Sequence, residues 1–129
     1  MADTAAPDFL IIGAPQAGTE ALHAALGAHP QVHLSDSPGT AELGQLSGRA
    51  APATLADLAA HPALGTEATR LITVVRDPID RAYADWRARR SSGDEQIPDF
   101  LRAVTTTADY LGRGRYGDQF THLFSHVDP

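Results

Sequence analysis

Two short runs carry the residue types from which an anion site can be built. The first is "GAPQAGT", Gly13 to Thr19, which ends an apolar stretch and opens a helical pattern. A strand that turns through glycine into a helix N-terminus offers an anion several unpaired N–H donors and about half a positive charge. Gly13 and Gly18 let the main chain close on such a group, and Thr19 adds a hydroxyl. A nucleotide-phosphate loop would carry a lysine between its glycines; here the places are held by Gln16 and Ala17. The same spacing also suits a plain turn between a strand and a helix. The second run is "VVRDPID", in which Arg76 ends an apolar stretch just before the start signals of a helix. Strand C-termini of a parallel sheet share one edge, which would put Arg76 and the loop on the same crevice. Arg76 could equally pair with Asp77 or Asp80 and need no ligand.

The elements that must position these runs are legible in part. Phe9 to Gly13 reads as a buried strand, and Ala21, Leu22, Ala25 and Leu26 share the face of a following helix. Gly27 is expected to close that helix as its C′ residue. "HPQVHL", 29–34, predicts another strand with Pro30 at its start. Residues 35–53 are rich in Gly, Ser, Pro and Ala without periodicity and read as a long loop or poorly ordered segment. Leu55, Leu58 and Ala59 suggest a short helix broken at Pro62. "RLITVV", 70–75, is β-branched and apolar and predicts a second buried parallel strand. Asp77 as N-cap, Pro78 at the first helical position and Asp80 two residues on then open a helix whose apolar stripe is Ile79, Ala82, Tyr83 and Trp86. Two more stripes follow: Ile97, Phe100, Leu101 and Val104, then Tyr116, Phe120, Leu123, Phe124 and Val127. Strands alternating with helices imply right-handed crossovers and an α/β fold with a covered parallel sheet.

A chain of 129 residues, 43% hydrophobic, is expected to form a single domain over residues 1–129. It has no cysteine, which excludes disulfides, thiolate metal sites and a cysteine nucleophile and fits a reducing, cytoplasmic location. Neither a membrane span nor a basic, apolar leader is visible, so no membrane association is expected. The net charge of −6 argues against nucleic acid as a partner. All ten basic residues are arginine. No lysine exists to complete the loop.

Taken together, three segments resemble the sulfotransferases that use 3′-phosphoadenosine 5′-phosphosulfate (PAPS). "FLIIGAPQAGTEALHAALGAHPQV" is similar to their 5′-phosphosulfate loop, helix and histidine-proline pair. "LITVVRDPIDRAYADWRARR" resembles their 3′-phosphate motif, and "YLGRGRYGDQFTHLFSHVDP" the segment that follows it in bacterial and Golgi-type members. The resemblance covers a little over half the chain. It implies an α/β, three-layer P-loop-like fold with a small parallel sheet flanked by helices, in truncated form. It also implies PAPS as co-substrate and a small-molecule acceptor bearing a hydroxyl or amine. Gln16, Ala17, Gly18, Thr19 and Glu20 would then surround the 5′-phosphosulfate, with Gln16 at the catalytic position, while Arg76 and Ala84 would lie at the 3′-phosphate.

The departures matter as much. Gln16 stands where the family has a lysine or arginine, Glu20 where it has threonine or serine, and Ala84 where it has serine. Losing a serine hydroxyl removes one hydrogen bond, about 0.5–1.5 kcal/mol. Losing a positioned donor to developing charge costs on the order of 10²–10³ in rate, so catalysis suffers more than binding. Arg113 and Arg115 are the arginines nearest in kind to a replacement cation. The family's base-bearing stretch is replaced by "LSDSPGTAEL", in which Asp36 or Glu42 could act. By the resemblance, "LGTEATRLITVVRDP" runs the glycine-glutamate-threonine signature almost directly into the arginine strand, as though the intervening substrate-binding helix were deleted, and the sequence to Pro129 would stop before the family's last strand and nucleotide-closing loop. A catalytically silent or repurposed nucleotide-binding, regulatory or partner-dependent module is therefore the alternative. A P-loop phosphotransferase lacks both its lysine and its metal carboxylate. His122 and His126, four apart beside the last apolar stripe, lack a third ligand and read as a solvated face, while "RARR", 87–90, reads as a small basic patch at a helix C-terminus, where cations suit the dipole.

Overall fold

The computed structural model describes residues 7–34, 46–51 and 69–126. Their strands are β1 (Phe9–Ile12), β2 (Val32–Leu34), β3 (Leu46–Ala51) and β4 (Arg70–Thr73), and their helices are α1 (Thr19–Gly27), α2 (Pro78–Ser92), α3 (Phe100–Thr106), α4 (Ala108–Gly112) and α5 (Tyr116–Phe124). The strands form one parallel sheet in the order β2-β3-β1-β4. β1 lies between β3 and β4, which is why all four of its residues are apolar and no more than 6% exposed. The expected α/β, P-loop-like architecture with a small parallel sheet and accompanying helices is the one observed.

Four expectations need correction. Residues 35–53, read as a loop, contain β3, while 35–45 and the helix expected around Leu55 to Ala59 lie outside the described residues. Gly27 is the last helical residue rather than a left-handed C′, and the C-cap is Ala28 in right-handed geometry. β4 stops at Thr73 and lies at the border of the described sheet, so Leu71 and Ile72 are only half-buried and Val75 is 49% exposed. The α2 stripe is rotated: Ile79 is exposed at 71%, whereas Arg81, Ala82 and Asp85 face inward.

The start of α2 follows the expected capping chemistry. The Asp77 carboxylate accepts from the N–H groups of Ile79 (2.9 Å) and Asp80 (3.1 Å), and Pro78 occupies the first turn where its missing N–H is harmless. Beyond it, Ala82, Ala103 and Tyr110 form a second core flanked by Trp86, Ile97, Phe100 and Val104. Arg81 lies fully buried there, donating from Nη1 to Asp85 (3.3 Å) and from Nη2 to the Tyr110 carbonyl. Arg89 bridges Asp85 and Asp109, each at 2.9 Å, and Arg113 reaches both carboxylates. Within the "RARR" run, Arg89 thus ties α2 to α4 in addition to lying at a helix C-terminus.

Next to this network the buried Tyr110 hydroxyl donates to Glu95 at 2.7 Å. Burial, reinforced by that carboxylate, pushes the Tyr110 phenol up to about 12. Glu95 is held below the usual carboxylate range by the Ile97 N–H and then by Tyr110, and Asp109 is lowered by its hydrogen bond from Arg89. The signs are opposite for the two kinds of group. The tyrosine contribution is complete below the ordinary phenol range and disappears as pH rises through about 12. The carboxylate contributions are complete above the ordinary carboxylate range and are lost as pH falls through the lowered folded values. Thermal melts against pH are expected to fall at both extremes, and Tyr110→Phe should flatten the alkaline limb. An unchanged alkaline limb in that variant would refute the assignment.

Candidate functional site

The loop after β1 is shaped by its contacts with the end of β4. One step beyond the β1–β4 ladder, the Ala14 N–H donates to the Val74 carbonyl at 2.9 Å, and the Thr73 hydroxyl donates to the Gly13 carbonyl at 3.2 Å. Ala14 is 1% exposed, so the chain leaves the core at this point. The Ala17 N–H then closes a turn onto the Ala14 carbonyl at 3.1 Å. Gln16 and Gly18 both adopt left-handed backbone, with φ of 64° and 104°. Glycine accepts that geometry without a Cβ penalty, whereas for a glutamine it costs roughly 1–2 kcal/mol. A Cβ placed at Gly18 would meet nothing within 4 Å among the described residues. Its conformation, not crowding, asks for glycine.

α1 starts directly from this turn, with the Leu22 N–H on the Gly18 carbonyl at 3.1 Å. Among the described residues no side chain caps it. Its first N–H groups therefore point out of the helix without intrahelical acceptors, carrying the positive end of the dipole. Thr19 is half-buried at this end and Glu20 is exposed in the same turn. A carboxylate there favours the free helix but would repel an incoming anion.

Arg76 crosses to the loop. Its Nη1 donates to the Gln16 carbonyl at 3.4 Å, sixty positions away in sequence. Neither Asp77 nor Asp80 makes an ion pair with it among the described residues; the Asp77 carboxylate is occupied by the α2 cap. Gln16, Ala17, Gly18, Thr19 and Glu20 are thus contiguous around one helix end, with Arg76 against them. Ala84 stands apart from that contact, half-buried six residues into α2, roughly 9 Å along the axis, and has no polar side-chain atom.

Of the two replacement cations, Arg113 is committed to Asp85 and Asp109. Arg115 remains exposed, with Asp118 at 4.0 Å. Asp36 and Glu42 lie outside the described residues. His122 and His126 are exposed with ring centroids 4.8 Å apart, and among the described residues no group of three or more His, Cys, Asp or Glu could hold a metal. One contact escaped the sequence reading altogether: the Tyr116 hydroxyl donates to the Arg76 carbonyl at 2.9 Å. In the sequence Tyr116 belongs to an apolar stripe, and no local pattern marks a phenol that reaches back forty residues.

No family model matches the chain, and no curated protein does. Solved structures do: a sulfotransferase from Alicyclobacillus acidocaldarius superposes with a TM-score of 0.80 at 17% sequence identity, over 95% of this chain and 70% of that one. At so low an identity the likeness is one of fold, and it is a sulfotransferase-like fold that the chain adopts. No helix among the described residues is long and apolar enough to cross a membrane.

Proposed function

We propose that the chain binds PAPS at the loop Gly13 to Glu20 and transfers its sulfuryl group to a hydroxyl or amine of a small-molecule acceptor. The acceptor atom attacks sulfur in line, the bond from sulfur to the 5′-phosphate oxygen breaks, and adenosine 3′,5′-bisphosphate departs. The acceptor proton passes to a base or to water. What carries the reading is the approach of Arg76 to the Gln16 carbonyl, which joins the two motif-bearing runs on one sheet edge. The uncapped α1 terminus and the open space beside Gly18 suit an anion, and Thr19 supplies a hydroxyl. Gln16 and Glu20 fit it less well. The protein would act by positioning the two substrates and stabilising charge on the departing phosphate.

A second reading is favoured by Gln16 and Ala84 together: a nucleotide-binding module that has lost turnover. Calorimetry with adenosine 3′,5′-bisphosphate tests the shared part of both. Binding is expected, weakened about tenfold or more in Arg76→Gln, as for a hydrogen bond to a charged group. Gln16→Lys is expected to tighten it about fivefold at low salt, the worth of one added charge at a hydrated site. Absence of binding at millimolar nucleotide would reject both readings. Binding without sulfate transfer from PAPS, with transfer appearing in Gln16→Lys, would select the second.

A further inference from the structure

Arg76 sits in an irregular segment between β4 and α2, where no ladder or helix holds its peptide group. Two long-range contacts do so instead. Its guanidinium rests on the Gln16 carbonyl and its own carbonyl accepts from Tyr116, the first residue of α5. We propose that Tyr116 is a positioning residue which, by holding the Arg76 carbonyl, aims the Arg76 guanidinium at the loop; the proposal rests on the functional reading above.

The placement of Tyr116 is itself tightly determined. Its N–H donates to the Gly114 carbonyl at 3.0 Å, and Gly114 lies so close to the first turn of α2 that a Cβ there would stand 3.0 Å from the Pro78 Cβ. The turn between α4 and α5 is thereby pressed against the start of α2, two residues past Arg76. Arg113, at the head of that turn, is tied to Asp85 in the middle of α2. The phenol thus projects from a braced turn onto the Arg76 peptide group, whose side chain touches the loop at Gln16. Tyr116 is only half-buried, and removing its hydroxyl leaves the ring in place.

The test is a pair of measurements on Tyr116→Phe, with Tyr83→Phe as a control at an exposed phenol. In the free protein, amide NMR shifts are expected to move at Asp77, which shares the Arg76 peptide, and also at Ala17, which shares the Gln16 peptide; Tyr83→Phe should move neither. Movement at Asp77 alone would overturn the proposal, since the hydroxyl would then hold a carbonyl without directing the guanidinium. In calorimetry with adenosine 3′,5′-bisphosphate, Tyr116→Phe is expected to weaken binding about three- to tenfold, the range one hydrogen bond carries. Combined with Arg76→Gln it should add nothing, because the side chain it directs is gone. Equal losses in both backgrounds, a purely structural effect, would also overturn it. If the native chain binds no nucleotide, the functional reading fails, while the Ala17 shift still decides whether Tyr116 governs Arg76.

Discussion

Replacing Asp85 with alanine is expected to lower the unfolding free energy by about 3–5 kcal/mol, the usual loss when one partner of a buried ion pair is removed. Asp85 is 5% exposed, accepts from Arg81 and Arg89, and forms an ion pair with Arg113 at 3.6 Å. Arg89 and Arg113 keep Asp109 as a second partner. Arg81 does not. With no exposed surface, it would retain the Tyr110 carbonyl alone, and its Nε already has no hydrogen-bond partner among the described residues. Such a loss is a large part of the about 5–15 kcal/mol that keeps a domain folded. Urea unfolding of Asp85→Ala and Asp85→Asn would measure it, with the asparagine variant losing less because its amide oxygen still accepts. Replacing the pair together, as Arg81→Met with Asp85→Leu, should recover most of the stability. A loss under about 1 kcal/mol in Asp85→Ala would mean that water reaches Arg81 and that the burial argument fails.

Gly48→Ala is expected to cost about 1–3 kcal/mol or more through overpacking. Gly48 lies opposite Phe9 on one side and Leu34 on the other, so three neighbouring strands place these residues in one row. The Phe9 ring covers the glycine: an added Cβ would fall 2.1 and 2.4 Å from two ring carbons and 2.7 Å from a Leu34 methyl. Phe9 is 6% exposed and cannot swing away without opening the core. A smaller side chain opposite should relieve the clash, so Phe9→Leu with Gly48→Ala is expected to be more stable than the sum of the two single losses. Strict additivity in denaturant unfolding would show that the ring does not bear on Gly48.

That glycine also explains why β3 was not visible in the sequence. "LSGRAA" has neither the β-branched content nor the alternation that marks a strand, and its middle residue is one that strands avoid. It is a strand because β1 and β2 offer it hydrogen bonds on both sides and because Phe9 needs the missing Cβ. The inward turn of Arg81 was hidden for a related reason. Apolar periodicity assumes that charge faces water, and here Asp85 and the Tyr110 carbonyl compensate the charge inside. Gly27 misled in the other direction, a common helix terminator that remains in right-handed backbone.

The sequence alone determined whatever depends on near neighbours: the apolar strand β1, the glycine turn into α1, and the Asp77–Pro78 start of α2. Strand polarity, capping and turn geometry act over a few residues, so residue order suffices to read them. Only the tertiary structure decided that Arg76 meets Gln16 and that Tyr116 holds Arg76, across sixty and forty positions. Those contacts exist because parallel strands gather their C-terminal ends on one edge and a braced turn presses against α2. Such distances in sequence leave no local trace in the residues that are joined.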